Sequence, residues 1–587
     1  MDQKLMAAAL GAEKADLAVV NGQIVNVYSK EVYTGGVAVA NNRIAAVGDI
    51  EYCLGENTQI IDAEGQYILP GFVEGHIHPE STNLSVSGFA QIVLSHGTTS
   101  AMVDFHEVGV VAGMEGIEAV IEEAKETDLR VYFVVPSHVP FSPGLETSGG
   151  VFDSRVIKEA LERPDAVGLS EIVGPYILQG DKDLIQAMEA AKGMGKSLQG
   201  HLPEMKGPAM NACIASGVWT DHESLGKEDA VERLRAGCHL MMREGSAARN
   251  LKECLKAVTE DGLDPGMCSI VTDDLHTIDA VKRGHLDDSL RTAMEEGIDF
   301  VTAVQMVTLH AARAFGLDRE IGSLAPGRRA DILLTDGPEA FKVNSVIANG
   351  KKVVEAGTFL SPYPVREHKP VLLNTVKLSR PVTAEDFMIK TDSRAKQAKV
   401  QLMRTLDWIP ITYGEEVLLP VKDGVVQCDL EQDAVYIAQV ERHGKNGNIG
   451  KAFMGGFNLK SGAIASSVGH DNHNIIVMGT NFEDMAAAVN HLARIQGGQV
   501  VVEKGKVLKE AAFPILGLLS DMAPEELAKE KEELIAEVHR MGSTIPIPFM
   551  FLSFICLAAI PEYAVTDKGF IDVMQQKIID PVLELIE

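Results

Sequence analysis

The sequence has little positive charge and no long apolar run. Its 53 Lys and Arg against 83 Asp and Glu give a formal net charge of −30. That balance argues against a nucleic-acid partner and against a polybasic membrane binder, because both need clustered positive charge. The most apolar stretch, residues 545–560, begins with prolines and falls short of the ~20 residues that span a bilayer. We therefore expect a buried segment there and no membrane partner.

Paired cysteines are also missing. The seven Cys are scattered without CxxC spacing, which predicts reduced thiols in a cytoplasmic protein. Charged residues interrupt the apolar part of residues 1–20, which does not fit a signal peptide. What the chain does have is length. Its 587 residues exceed what one hydrophobic core supports, so we expect two to four domains.

Two separated stretches look like parts of one small β-domain. Residues 16–68 form short apolar runs with Gly and Asn between them, and residues 330–354 repeat that pattern. The segments Val19-Val20-Asn21-Gly22 and Ile347-Ala348-Asn349-Gly350 are each predicted to be a hairpin turn, and Gly35-Gly36 a break between strands. A split β-sandwich domain, assembled from residues 1–68 and 319–369 around an insertion, would explain this repetition.

The insertion, residues 69–318, alternates strand-like runs with helical patterns. Eight such runs predict an α/β fold with a closed (β/α)8 barrel. A doubly wound sheet is the alternative, but no GxGxxG follows the first strand. Residues 370–587 become strand-rich again and include an acidic helix at 524–540, which we interpret as an additional C-terminal α+β domain. The predicted barrel strands are 67–78, 99–105, 130–136, 166–171, 197–201, 217–221, 239–243 and 268–272.

Candidate metal ligands stand at the ends of these strands. His76 and His78 are two residues apart on one strand, so both imidazoles project from the same face and can reach one ion. This spacing alone is a weak signal, and two packed or surface His are the alternative. Barrel enzymes place their chemistry at the carboxyl ends of the strands, where four further candidates follow later strands: Glu171, His201, His222 and Asp273. Together they could hold two metals bridged by a carboxylate.

These motifs resemble the amidohydrolase superfamily and, within it, the bacterial adenine deaminases. The similarity extends over nearly the whole length, and residues 465–474 look like a C-terminal domain that other amidohydrolases lack. The segments that carry it are 70–81, 96–99, Asp104-Phe105-His106-Glu107, Glu146-Thr147-Ser148-Gly149, 216–223, 242–248, Thr272-Asp273-Asp274 and 325–331.

The resemblance implies a distorted metal-dependent hydrolase barrel and a set of roles. His76, His78, His201 and His222 would bind metal, Glu171 would be the bridging carboxylate, and Asp273 would bind a metal and move protons. Two divalent ions are expected, with manganese, iron and zinc all open. The reaction would be hydrolysis of adenine to hypoxanthine and ammonia in purine salvage, with metal-activated hydroxide attacking C6. A homo-oligomer is expected from the family alone.

The acid that protonates the purine ring is not fixed by the sequence. His106 and Glu107 are the first candidates, with an orienting role as the alternative. Glu204 is a third, because His201-Leu202-Pro203-Glu204 has the His-x-x-Glu spacing of mononuclear deaminases, although a surface position is the simpler interpretation.

Four further residues are candidates for binding the substrate. They are Arg243, Ser246, His470 and His473. Arg243 could instead close an ion pair beneath the site, and the two His of the third domain could serve in packing.

Several residues depart from the family pattern, among them Phe105, Ser170 and Leu275. They leave the metal set intact but leave open a preference for N6-substituted adenine. Two other functions were considered: a hydrolase of cyclic amides, and a non-catalytic metal-binding scaffold. The six-residue ligand set weighs against the scaffold, and the C-terminal domain weighs against the cyclic amidohydrolase.

Overall fold

The computed structural model describes residues 2–363, 366–392, 394–406, 411–560 and 562–587. The strands within these ranges are β1 Leu17–Asn26, β2 Glu31–Ala40, β3 Arg43–Gly48, β4 Gln59–Asp62, β5 Tyr67–Pro70, β6 Phe72–Ile77, β7 Thr98–Val103, β8 Arg130–Pro136, β9 Ala166–Val173, β10 Ser197–His201, β11 Thr220–Asp221, β12 His239–Arg243, β13 Cys268–Val271, β14 Ile332–Thr335, β15 Val343–Ala348, β16 Lys351–Glu355, β17 Thr358–Phe359, β18 Gln397–Thr405, β19 Thr412–Lys422, β20 Val425–Val426, β21 Val435–Val440, β22 Ile449–Gly455, β23 Ala463–Ser466, β24 Ile475–Gly479, β25 Gly498–Glu503, β26 Lys506–Ala512, β27 Tyr563–Thr566, β28 Gly569–Asp572, β29 Lys577–Ile579 and β30 Val582–Ile586.

The α-helices of the same ranges are α1 Gln3–Ala9, α2 Val86–Ser95, α3 His106–Ala124, α4 Ser154–Leu161, α5 Gly174–Gln179, α6 Lys182–Gly193, α7 Gly207–Ser216, α8 Lys227–Arg235, α9 Leu251–Thr259, α10 Thr277–Lys282, α11 Leu286–Glu295, α12 Phe300–Met306, α13 Leu309–Ala314, α14 Ala384–Phe387, α15 Phe482–Ile495, α16 Pro524–Arg540 and α17 Pro548–Phe554. None of them is long and apolar enough to cross a membrane.

A mixed sheet joins strands from both sides of the barrel. Strands β1–β5 precede the barrel and β14–β17 follow it, and β14 pairs antiparallel with β5, with Leu333 opposite Leu69. The predicted assembly from two flanks is therefore confirmed. The hairpin at Asn349-Gly350 is also confirmed, since both residues have positive φ, 53° and 75°, between β15 and β16.

Two turn predictions in the same sheet were wrong. Asn21-Gly22 lies inside β1, where the register with β2 shifts between Val19 and Gly22, so the pair forms a bulge. Gly35-Gly36 lies within β2 and does not break it. A Cβ at Gly36 would lie 2.6 Å from the Val19 carbonyl oxygen, so the glycine permits the strands to stay together across the bulge.

The central strands form a parallel eight-stranded sheet in the order β6 to β13. The first and last strands close it through a bridge between Ile77 and Asp273. The His78 amide donates to the Asp273 carbonyl and the Asp273 amide to the His76 carbonyl, both at 3.0 Å. The closure therefore brings the His-x-His motif and Asp273 together, as the barrel prediction requires.

The first predicted barrel strand, 67–78, is two strands. Residues before Gly71 belong to β5 of the mixed sheet and residues after it to β6 of the barrel. A Cβ at Gly71 would lie 2.2 Å from Thr99 Oγ1, so a glycine is needed where the chain passes between the sheets. The predictions for 130–136, 197–201 and 239–243 match β8, β10 and β12, whereas 217–221 shortens to β11.

The C-terminal residues form a ten-stranded sheet from β18–β26 and β30, and a small sheet from β27–β29. Helix α16 matches the predicted acidic helix, and the apolar segment 545–560 contains α17, which is largely buried. This region packs directly on the barrel: Nζ of buried Lys531 in α16 bonds to Asn83 Oδ1 at 2.5 Å, just after the His-x-His motif. The residue limits of the domains stay a prediction.

Candidate metal centre and active site

The six predicted metal ligands meet at the carboxyl ends of the barrel strands. His76 lies near the end of β6 and His78 directly after it, Glu171 lies in β9, His201 ends β10, and His222 and Asp273 follow β11 and β13. Five of the six are buried, and His201 is half-buried.

Glu171 is at the centre of the cluster. Its Oε1 is 3.2 Å from His76 Nε2, 3.6 Å from His222 Nε2 and 3.7 Å from His78 Nε2, and its Oε2 is 2.8 Å from His201 Nδ1. One carboxylate therefore faces four imidazoles. Asp273 Oδ1 lies 3.6 Å and 3.5 Å from the nitrogens of His76 and His78.

The backbone turns both carboxylates inward. Glu171 and Asp273 have left-handed φ values of 52° and 60°, which are uncommon away from glycine and need support from the surroundings. Ser137 Oγ provides it at one position by donating to the Glu171 carbonyl at 2.7 Å. At Asp273 the support comes from the two backbone hydrogen bonds that close the barrel, those to His76 and His78. These two residues with this uncommon backbone conformation are thus both members of the candidate site.

The donor set fits divalent ions. Ligand atoms of His76, His78 and Asp273 lie within 4.8 Å of one another, and so do those of His76, Glu171 and His222. The buried Nε2 of His76 and Nδ1 of His201 have no well-directed hydrogen bond, although carboxylate oxygens are close. Imidazole and carboxylate are ligands that zinc, iron and manganese accept. These residues could therefore hold metal.

Charge in the cluster is balanced between rings and carboxylates. Burial opposes protonation of the His76 ring, but Asp273 and Glu171 outweigh it and raise its pKa to about 10. Burial also opposes protonation of the His201 ring, but the nearby carboxylates of Glu171 and Glu223 outweigh burial and raise the pKa of His201 to about 9. In the opposite direction, the neighbouring His rings hold the pKa of Glu171 well below its usual range despite burial. Metal binding would have to displace protons from these rings.

Asp104 orients His78. Its Oδ1 is 3.1 Å from His78 Nδ1, which leaves His78 Nε2 to face the cluster, and its Oδ2 accepts from Ser170 Oγ at 2.9 Å. Partners of this kind fix the ring orientation of a ligating His and raise its basicity. Ser170, one of the departures from the family pattern, therefore supports the cluster indirectly, by donating a hydrogen bond to Asp104.

Replacing Asp104 with Asn is expected to weaken metal binding by about 10- to 100-fold, because the ring of His78 loses its anionic partner. Metal titration of the apoprotein would measure this loss. Ser170→Ala is the matched comparison, and it should weaken binding less, since Asp104 would keep its contact with His78. Equal affinity in wild type and Asp104→Asn would contradict the orienting role.

Arg243 forms an ion pair beside the cluster. It binds Glu223 bidentately, with Nη1 to Oε1 at 2.6 Å and Nη2 to Oε2 at 3.1 Å, and its Nη1 also donates to Asp273 Oδ2 at 3.1 Å. The guanidinium thus holds the Asp273 carboxylate in place. This arrangement corresponds to the ion-pair role that was the alternative to substrate binding for Arg243. Glu223, 3.3 Å from His222 Nε2, was not predicted to act, although it stands next to His222 in a quoted motif.

The two first candidates for the ring acid are buried beside the metal set. Glu107 Oε2 lies 3.6 Å from His78 Nδ1 and has no hydrogen bond in the described residues. Burial raises the pKa of Glu107 well above its usual range. Both ring nitrogens of His106 are also buried without a described partner. Each residue therefore has a free polar atom in the site.

His470 and His473 were candidates either for substrate binding or for packing, and His470 lies beside Glu107 and Phe554. His470 Nδ1 lies 3.1 Å from Asp471 Oδ1 and 3.8 Å from Glu107 Oε1, and its ring stacks on Phe554 at 4.7 Å. The ring of His473 lies 5.9 Å from that of His470, and its Nε2 has no described partner. Both are buried where the two domains meet.

Two predicted residues are not brought to the cluster. Glu204 is exposed in the turn after β10, and within the described residues its side chain forms no hydrogen bond or ion pair with the cluster. The Ser246 hydroxyl donates to Asp279 Oδ2 at 2.5 Å and accepts from the His276 amide at 2.9 Å. These bonds occupy it in a loop, so the geometry favours a structural role for Ser246.

The loop after β8 is clamped by the third domain, a contact that sequence reasoning missed. Buried Glu146 accepts from the Ser142 amide at 2.7 Å and from Asn472 Nδ2 at 3.2 Å, and Asn474 Nδ2 donates to the Thr147 carbonyl at 2.9 Å. The only signal in the sequence was that Glu146 and the 465–474 segment both belong to the family motifs. The clamp holds one wall of the site.

Glu146 should make stability depend on pH. Burial raises its pKa to about 8 from an ordinary 4.5, so between those values the folded state keeps a proton that the unfolded state has lost. The free energy of unfolding therefore falls as pH rises through this window. The free energy of unfolding of Glu146→Gln, measured relative to wild type, is therefore expected to rise by a few kcal/mol as the pH increases from 5 to 9. Urea unfolding of both metal-loaded proteins tests this, and a constant difference would contradict it.

The barrel has the amidohydrolase fold, and residues 67–353 match the amidohydrolase family model. Residues 410–577 match the adenine deaminase C-terminal domain. The chain belongs to the adenine deaminase family. Adenine deaminase 1 of Carboxydothermus hydrogenoformans is 41% identical over 97% of this chain and 96% of its own. The adenine deaminase of Moorella thermoacetica is 37% identical, over 98% and 97%.

Proposed function

We propose that this protein is a metal-dependent adenine deaminase that hydrolyses adenine to hypoxanthine and ammonia. The observation that carries the proposal is the convergence of four His, Glu171 and Asp273 at one end of the barrel, in a chain that matches adenine deaminases over nearly its full length. The expected substrate is neutral and carries no phosphate, so the net charge of −30 does not repel it.

Two divalent ions are proposed to bind in this cluster. One set of ligands is His76, His78 and Asp273, a second includes His201 and His222, and Glu171 faces both sets. When bound, the ions supply a Lewis acid that lowers the pKa of water toward ~7. Manganese, iron and zinc are all compatible with these ligands.

Asp273 is the proposed proton carrier. Its Oδ1 faces the His-x-His nitrogens while its Oδ2 accepts from Arg243 Nη1. The arginine thereby fixes the carboxylate at the point where water and the C6 amino group of the purine would meet. A carboxylate so placed can take a proton from the attacking water and pass it to the C6 amino group, which then leaves as ammonia.

Glu107 is the proposed acid for the purine ring. It is fully enclosed and has a free Oε2, whereas both oxygens of neighbouring Asp104 are engaged. His106, with two free ring nitrogens, is proposed to orient the base beside it. We assign no role to Glu204, because it is exposed.

The test is manganese-loaded protein incubated with adenine, N6-methyladenine and a hydantoin-type cyclic amide in separate reactions. We expect adenine to give hypoxanthine and ammonia in equal amounts. Turnover of the cyclic amide without turnover of either adenine would refute the proposal. Faster turnover of N6-methyladenine would keep the chemistry and change the preferred substrate.

A further inference from the structure

His138 lies two residues beyond β8, at the carboxyl edge of the barrel, and is not one of the metal-ligand candidates. Its ring centroid is 5.0 Å from that of Phe141. The Phe141 ring stands edge-on to His201 at 5.8 Å and to His106 at 5.9 Å. Phe141 therefore contacts both His138 and the candidate ligand His201.

Hydrogen bonding fixes the tautomer of His138. The Glu171 carbonyl can only accept, so the hydroxyl of Ser137 donates its proton there at 2.7 Å. The same Oγ is 2.6 Å from His138 Nδ1 and must accept a proton from it. Nδ1 therefore carries the hydrogen, and Nε2 presents a lone pair.

That lone pair has no partner among the described residues, although Nε2 is shielded from solvent. A buried acceptor without a donor is costly, so such an atom in a site calls for a ligand that donates. Burial also lowers the pKa of His138 to about 3, which keeps the ring neutral at neutral pH. Nε2 of His138 therefore remains unprotonated, and able to accept a hydrogen bond, at neutral pH.

The hydrogen-bond donors of adenine decide which part of the base His138 would meet. C6 and its amino group have to lie at the metal cluster, and His138 is not among the residues of that cluster. The remaining donor of free adenine is the N–H of its imidazole ring, and this is the group that a lone pair on His138 Nε2 would accept. Free adenine carries one N–H on that ring, whereas a purine substituted at N9 does not.

Tyr176 stabilises this wall of the site. Its ring packs edge-on to His138 at 5.5 Å, and its hydroxyl donates to the Phe141 carbonyl at 3.1 Å. The acceptor is therefore held in place by neighbours on two elements, the loop after β8 and helix α5.

Building on the proposed function, we propose that His138 is a specificity-determining residue. Its Nε2 accepts a hydrogen bond from the imidazole N–H of the free base and so selects against purines substituted at N9.

The test compares His138→Phe, which keeps a ring and removes the acceptor, with His138→Gln, which keeps an acceptor. The Phe variant should raise KM for adenine by about 10- to 100-fold with little change in kcat or metal content, as expected for a lost buried hydrogen bond. The Gln variant should recover most of the loss. An unchanged KM in His138→Phe, or an equal loss in both variants, would overturn the proposal.

A binding measurement separates this inference from the proposed function. Wild type should bind purine more tightly than 9-methylpurine, and the preference should collapse in His138→Phe. A preference that is the same in both proteins would mean exclusion by shape alone and would overturn the role of His138. If wild type fails to deaminate adenine, the proposed function is wrong. The comparison of purine with 9-methylpurine binding still tests the role of His138 in that case.

Discussion

Replacing Glu171 with Gln is expected to lower kcat/KM for adenine by at least about 10³-fold and to remove one metal ion per chain, because the charge that bridges the two ligand sets is lost. The carboxylate lies within 3.7 Å of four imidazoles, so no other residue of the cluster could replace its charge. Steady-state kinetics and metal analysis of the purified variant would measure both effects.

Glu204→Gln is the matched control. It makes the same chemical change at an exposed site after β10, and it should leave activity and metal content as in wild type. A large loss in Glu204→Gln would restore that residue as the ring acid. A Glu171→Gln variant that kept both ions and full activity would refute the bridging role.

Replacing Asp273 with Asn is expected to lower kcat by about 10²- to 10⁴-fold, the usual size of an acid–base contribution. The amide can still approach His76 and His78 through its oxygen, but it cannot accept a proton. Metal content should therefore fall less than in Glu171→Gln, and this difference separates the proton carrier from the bridging ligand.

Asp183→Asn, in the exposed first turn of α6, is the control for this substitution and should behave as wild type. If Asp273→Asn turned over adenine at the wild-type rate with its ions bound, another group would have to move the proton. Glu107 would then be the next residue to replace.

The sequence predicted the elements that are set by local patterns. Strands β8, β10 and β12 match the predicted residues because each lies between two segments with a helical pattern. The splitting of 67–78 was missed although Pro70-Gly71 is a local break signal, because the change of sheet at that point depends on the distant contact of Gly71 with Thr99.

The site was predictable to the extent that its residues end successive strands. The six ligand candidates were found because the carboxyl ends of parallel strands meet in a barrel. The positions of Glu223 and His138 depend on side chains 20 or more residues away, Arg243 and Tyr176 respectively, which no local spacing indicates. Glu204 had the right spacing but lies in a turn that leaves it exposed.

The most direct measurement is titration of metal-free protein with manganese while hypoxanthine formation from adenine is followed. If the cluster around Glu171 is a binuclear centre, activity should rise with added metal and reach its plateau at two ions per chain. Full activity with one ion, or without added metal, would contradict the binuclear centre. Metal uptake without any hypoxanthine would contradict adenine deamination itself.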